Sequence, residues 1–185
     1  MGEPNRIRLT YQDYLDMPED GNRYEILEGE LAVTPSPTLH HQFSSGRLHL
    51  LINRWVEQAG GLVFYAPVTV YLAEDTILEP DLFWISRESF ARKSDGKILR
   101  GAPDLVVEIL SPGTQSRDRG AKQQLYARHG VKEYWLVDPM KRNVDIFTLQ
   151  DSALVPHASG SGDAPLASSL DSGLIVTPSQ LFASW

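Results

Sequence analysis

Three side chains in this sequence have types and spacing suited to hydrolytic chemistry. Asp81 follows Pro80 in Leu78-Glu-Pro-Asp-Leu-Phe-Trp-Ile85, and Glu108 interrupts the apolar run Asp104-Leu-Val-Val-Glu-Ile-Leu110. An ionised carboxylate in an apolar strand is costly unless it is paired or bound to a metal. Two carboxylates on neighbouring strands repel, and a divalent cation with oxygen ligands relieves that repulsion. Mg²⁺ favours one or two carboxylates plus water and a substrate phosphate. Lys122 lies in the helix after the Glu108 strand, and a strand–turn–helix can return its side chain to the end of that strand. A lysine there would orient an attacking water or stabilise charge developing on a phosphoryl group. Tyr126, four residues on, shares its helical face. Plainer readings stand beside these. Glu108 alone could pair with an Arg or Lys or sit at an exposed strand end, and a single helix lysine is usually solvated. Pro-Asp dipeptides are common in turns, as Pro103-Asp104 shows.

The elements that must position these residues follow from periodicity and punctuation. Thr10 is placed to cap a short helix through about Met17, which Pro18, Asp20 and Gly21 end. Residues Tyr24 to Val33 read as a β-hairpin around Glu28-Gly29. Leu39 to Gln58 carries apolar residues at helical spacing, and Gly60-Gly61 stops it. Strands are expected at Leu62–Ala66, Val68–Leu72 and Ile77–Ile85, then a polar segment, then Asp104–Leu110, apolar enough to be buried on both faces. Asp118 to His129 reads as a second helix with Gly130 after its end, and Asp118 as its N-cap. Glu133–Val137 and Val144–Leu149 are strands. Asp151–Ser172, rich in Ser, Gly, Ala and Pro, is a loop, a weak hairpin or a flexible stretch, and Gly173–Phe182 a tail that packs back. The pattern is α/β or α+β with a mixed sheet.

Composition bounds the chemistry further. The 185 residues suit one domain, with residues 1–38 as an N-terminal helix and hairpin extension, 39–150 as the core, and 151–185 as loop and tail. The absence of cysteine excludes disulfides, thiolate zinc sites, Fe–S clusters and cysteine nucleophiles. Any metal must then be held by oxygen or histidine, which suits Mg²⁺ or Mn²⁺. A net charge of −7 argues against a broad cationic coat, yet residues 92–142 hold 11 basic against 6 acidic residues. That window contains Glu108 and Lys122, so a basic rim beside an acidic centre is expected. The polar stretch Met1 to Thr10 lacks a signal-like apolar run, and no segment is apolar enough to span a bilayer. A soluble, cytoplasmic protein without membrane contact is the expectation. No nucleophile elbow, phosphate-binding Gly-rich loop or dinucleotide fingerprint is present.

Taken together, Pro80-Asp81, Gly101-Ala-Pro-Asp-Leu-Val-Val-Glu-Ile-Leu-Ser-Pro112 and Asp118…Lys122…Tyr126…Gly130-Val-Lys-Glu-Tyr-Trp-Leu-Val-Asp-Pro139 resemble the Uma-two family. These are endonuclease-like proteins of the PD-(D/E)XK, restriction-endonuclease-like superfamily. Tyr24-Glu25, Glu28-Gly29-Glu30 and Pro35-Ser-Pro…His41-Gln42 fit the family's N-terminal pattern, and the resemblance returns at Gly173-Leu174…Leu181-Phe182. It implies a core of helix, three strands, helix, strand, with a central mixed sheet flanked by helices. It also implies that Asp81, Glu108 and a strand carbonyl such as Ile109 hold the metal. The superfamily lysine stands two residues after the second acid, where this chain has Leu110, so Lys122 fits a lysine migrated to the helix. His41 and Glu25 match recurrent positions, His41 to assist metal binding or place a phosphate.

The leading expectation is a Mg²⁺- or Mn²⁺-dependent endonuclease that hydrolyses phosphodiester bonds in DNA, as a homodimer. The alternative is an inactive nuclease fold that serves as a DNA-binding or protein-interaction module, motivated by Leu110. A third reading is a hydrolase of nucleotides or other small phosphate esters.

Overall fold

A computed structural model describes residues 7–182, so Met1–Arg6 of the N-terminal stretch lie outside it. The chain opens with α1 (Tyr11–Leu15) and a hairpin of β1 (Arg23–Leu27) and β2 (Glu30–Thr34). At the start of α1 the Asp13 carboxylate accepts from the Thr10 amide and hydroxyl at 2.7 and 2.8 Å. Glu28 and Gly29 both have positive φ, 50° and 83°, as a two-residue type I′ connection requires. Next comes α2 (Leu39–Ala59), capped by the Thr38 hydroxyl on the His41 amide and stopped at Gly60. Its buried residues, His41, Ser44, Leu48 and Ile52, recur at helical spacing. His41 therefore points inward with the core residues.

The remaining elements are β3 (Leu62–Tyr65), β4 (Val70–Ala73), β5 (Thr76–Leu78), β6 (Leu82–Ile85), α3 (Arg87–Lys93), β7 (Leu99–Arg100) and β8 (Leu105–Ile109). A crossover follows, made of α4 (Gln115–Arg117), a π-helical turn (Asp118–Lys122) and α5 (Gln123–Arg128). It leads into β9 (Glu133–Asp138), β10 (Asn143–Gln150), β11 (Ala153–Ser161), β12 (Leu166–Ala167), β13 (Ile175–Val176) and a 3₁₀ turn (Pro178–Gln180).

The main sheet has six strands in the order β11-β10-β9-β8-β6-β3. Only β8 and β9 are parallel in it. A parallel pair needs a crossover connection, and this one carries Asp118, Lys122 and Tyr126. On one face, α2 and the C-terminal tail cover Leu105, Val107, Ile109, Trp135 and Val137. On the other, Val106, Leu110, Tyr126 and Tyr134 pack with Leu27, Val70 and Leu78 of a second, five-stranded sheet, β2-β1-β5-β4-β7. Glu108 shares the parity of Val106 and Leu110, so it faces the crossover and the second sheet. The series α2, β3, β6, β8, crossover, β9 is the expected helix, three strands, helix, strand, within a mixed α/β architecture.

The structure corrects three element assignments. Ile77–Ile85 is not one strand: β5 belongs to the small sheet and β6 to the large one. Pro80, which lacks an N–H and restricts the residue before it, stands at the change of sheet. The polar segment after Ser86 forms α3 and β7. The third correction concerns residues 153–161, read as part of a loop, a weak hairpin or a flexible stretch, which form a strand paired along the length of β10. Its loop-like composition is tolerated because β11 is an edge strand, where Pro156 needs no inward ladder bond.

Glu133 fixes the following segment to the sheet. It is fully buried, and its carboxylate accepts from Trp135 Nε1 and Ser168 Oγ, both at 2.7 Å, and from the Ser169 amide and hydroxyl. Glu133→Ala strands these donors, and we expect a loss of about 3 kcal/mol in urea unfolding. A change within about 0.5 kcal/mol would contradict this role.

Candidate active site

Where the two sheets face each other across the crossover, charged side chains from five elements meet. Asp81, the residue before β6, is buried and holds three donors. Oδ1 accepts from Arg23 Nη1 at 2.7 Å. Oδ2 accepts from the Ile109 amide at 2.8 Å and pairs with His41 Nε2 at 3.0 Å. Glu108 Oε1 accepts from Lys122 Nζ at 3.0 Å and Tyr126 Oη at 2.7 Å. Among the described residues Oε2 of Glu108 takes no hydrogen bond.

Lys122 links the parts. Its ammonium lies 2.8 Å from Glu25 Oε1, 3.0 Å from Glu108 Oε1 and 3.7 Å from Asp118 Oδ1. Glu25 Oε1 also accepts from the Glu79 amide at 2.9 Å, and Glu79 in turn accepts from Tyr14 Oη at 2.7 Å. The structure therefore brings together Asp81, Glu108, Lys122, His41 and Glu25. Ile109 joins through its amide on Asp81, a contact that the expectation of a carbonyl ligand did not include. Leu110, in the standard lysine position, is buried in the apolar core.

Sequence reading missed Arg23 and Glu79 and misassigned Asp118. Arg23 and Glu25 stand two apart on β1, hence on one face, as Glu79 and Asp81 stand two apart around Pro80. That spacing was the available signal. Asp118 is no N-cap: it is buried inside the π-helical turn, four residues before Lys122. The turn adds a residue to the helical repeat, a feature frequent at functional sites.

The electrostatics are lopsided. Five carboxylates, Glu25, Glu79, Asp81, Glu108 and Asp118, meet two permanent cations, Arg23 and Lys122. Burial disfavours the Lys122 ammonium, but Glu108, Glu25 and Asp118 hold its pKa above that of an ordinary lysine. Burial likewise opposes a charged Asp81, yet the His41 bond, the Arg23 charge and the Ile109 amide bring it down to about 2. Glu108 goes the other way. Burial and the charges of Asp81, Asp118 and Glu25 push it up to about 8, against the pull of Lys122.

This donor set has the chemistry of a hard divalent cation: buried carboxylate in excess, with an unshared oxygen on Glu108. The geometry is not preassembled. Among the described residues no three His, Asp or Glu side chains are arranged to hold an ion. Arg23 stands against Oδ1 of Asp81, and Lys122 against Oε1 of Glu108. The His41 Nδ1 and Arg23 Nε atoms are buried without partners among the described residues. Part of the expected basic rim is paired with acids. Arg92, Arg100, Arg119, Arg128 and Lys132 each pair with an acidic neighbour, and Arg117 bonds Thr34 Oγ1.

Three comparisons bear on this site. The profile of the Uma2 family, described as "Putative restriction endonuclease", matches residues 11–178. "Uncharacterized protein slr1290" of Synechocystis sp. is 26% identical over 147 residues, spanning 78% of this chain and 76% of its own. A crystal structure of a "putative nuclease belonging to DUF820" from Anabaena variabilis superposes with a TM-score of 0.76 at 22% identity. That match covers 94% of this chain and 97% of that one, and it establishes a shared fold.

The Glu108 shift has a measurable consequence. Its ordinary pKa is 4.5 and its folded value about 8. Between these values the folded chain holds a proton that the unfolded chain has released. Its stabilisation is complete below about pH 4.5 and is lost as pH rises towards about 8. Asp81 runs oppositely, losing its contribution as pH falls from 3.8 towards about 2, so the two windows do not overlap. Without divalent cations, the wild-type melting temperature should fall relative to Glu108→Gln between about pH 5 and 8. A constant difference across that window contradicts the shift.

Proposed function

The chain belongs to the Uma2 family, and from that premise we propose that it is a divalent-cation-dependent nuclease that hydrolyses phosphodiester bonds in DNA. The observation that carries the reading is the buried pair Asp81 and Glu108 on adjoining strand ends, with Lys122 on Glu108. Asp81, Glu108 and the Ile109 carbonyl would hold the cation. An extended residue points its N–H and C=O towards the same neighbour, so the carbonyl of Ile109 lies on the Asp81 side with its amide. Mg²⁺ or Mn²⁺, when bound, supplies Lewis-acid polarisation of the phosphoryl oxygen and acidifies water.

The chain's own residues do the rest. The Ile109 amide and His41 Nε2 fix the Asp81 carboxylate from two sides. Tyr126 Oη and Lys122 Nζ hold Glu108 through Oε1, which would leave Oε2 for a cation. Glu25 and Asp118 keep Lys122 protonated and in place. The ammonium then orients the attacking water or stabilises charge on the phosphoryl oxygens. Water would add to phosphorus and give up a proton to solvent, the P–O bond to the leaving sugar oxygen would break, and that oxygen would take up a proton from solvent.

One observation favours a second reading. Arg23 already neutralises Asp81 and the rim cations are locally paired, as in a nuclease fold kept for binding alone. Calorimetric titration separates the two. Mg²⁺ or Mn²⁺ binding abolished by Glu108→Ala supports the enzyme, and no binding at millimolar concentration supports the module. A homodimer through the hairpin is part of the proposal, because β2 is an edge strand with Leu31 and Val33 exposed. A sedimentation mass of one chain would remove it.

The direct test is plasmid nicking with Mg²⁺ or Mn²⁺. Asp81→Ala and Glu108→Ala should each lower the rate at least about 100-fold. Equal rates in all three proteins would overturn the assignment of these residues.

A further inference from the structure

The two oxygens of Asp81 are held in different ways. Oδ2 is tied to the sheet by the Ile109 amide and to α2 by His41, and neither donor can withdraw without disturbing the core. Oδ1 has one partner among the described residues, Arg23 Nη1. It is therefore the oxygen on which a cation would land, and the guanidinium occupies that place. The two positive groups exclude each other there.

Arg23 is built to leave. It is the first residue of β1, next to the exposed turn at Asp20 and Gly21. Its side chain keeps about a fifth of its surface exposed, whereas those of Asp81, Glu25, Glu108 and Lys122 are buried. It is thus, with Glu79, a partly exposed member of the cluster. Its buried Nε finds no acceptor among the described residues, so the present pairing satisfies the side chain incompletely. A guanidinium offers a planar fork that matches phosphate oxygens. Once off Asp81, its guanidinium would be free to bind a phosphate.

We propose that Arg23 exchanges partners during binding: it neutralises Asp81 Oδ1 until a divalent cation takes that oxygen, and it then clamps a phosphate of the polynucleotide. The idea rests on the cation reading of Asp81 and Glu108 given above. Arg23 acts on substrate as a binding and positioning residue, and it opposes the cation when substrate is absent. The lopsided charge fits this exchange, since losing Arg23 from the carboxylates is offset by the cation's two charges.

Mn²⁺ titration by calorimetry without DNA tests the first half, comparing wild type with Arg23→Gln. The variant should bind Mn²⁺ roughly tenfold tighter, because it has no guanidinium to displace. Equal affinities overturn the exchange. Absence of binding in both proteins sinks the cation reading as well, so the two failures are distinguishable. The second half is read by fluorescence anisotropy of a short DNA duplex with Ca²⁺. Arg23→Gln should weaken binding and reduce the slope of log affinity against log salt by about one. An unchanged slope removes the phosphate contact. The wild-type protein gives a readout that does not depend on the variant folding. The Arg23 Nε–Hε resonance should shift when Mg²⁺ saturates the protein, and a resonance that stays put contradicts the exchange.

Discussion

One buried ammonium holds this fold's centre together. Lys122 reaches Glu25 from the small sheet, Glu108 from the large sheet and Asp118 from its own π-helical turn. A buried charge without a partner is costly, and removing one member of such a cluster leaves the others uncompensated. Lys122 thus links the hairpin, β8 and the crossover, alongside Arg117 on Thr34, Arg128 on Glu28 and the apolar layer between the sheets. The connections agree with this. Parallel pairing of β8 and β9 demands a crossover, and the crossover brings Lys122 over the end of the strand that carries Glu108.

The cluster is satisfied only in part, and its shortfall is what gives it chemistry. Three carboxylates share Lys122, and a fourth, Asp81, is answered by Arg23 and His41. Burial, together with the remaining negative charge, raises the pKa of Glu108. A core built only for stability would replace these groups with well-packed apolar ones, which is often neutral or better. Here the polar groups persist beside a dense apolar layer of Val106, Leu110, Tyr134 and Leu136. This shortfall of positive charge is what supports the cation reading proposed above. The structure places protein cations where that ion would compete.

How much of this was readable beforehand depended on range. Glu108 stood out because a carboxylate inside Leu-Val-Val-Glu-Ile-Leu needs a partner, a cation of the chain or a metal. Lys122 followed from strand–turn–helix geometry, and the migrated lysine from Leu110 at the usual position. Arg23 did not stand out, because its partner Asp81 lies 58 residues away across two sheets. Long-range pairing leaves little local trace. Pro80 read as part of a motif, although it also breaks the strand and moves the chain between sheets. Residues 153–161 looked like a loop by composition, and the free edge of β10 made them a strand. The charge window was real as a count, and several of its cations pair with nearby acids.

The central claim is that Asp81 and Glu108 jointly receive a divalent cation in the place that Arg23 and Lys122 now border. A crystal structure with Mn²⁺, phased on the metal's anomalous signal, tests it most directly. The account predicts one peak ligated by Asp81 Oδ1 and a Glu108 oxygen at about 2.1 Å, with Arg23 turned off Asp81. Crystals soaked at millimolar Mn²⁺ that show no peak there, with Arg23 still on Asp81, would contradict it.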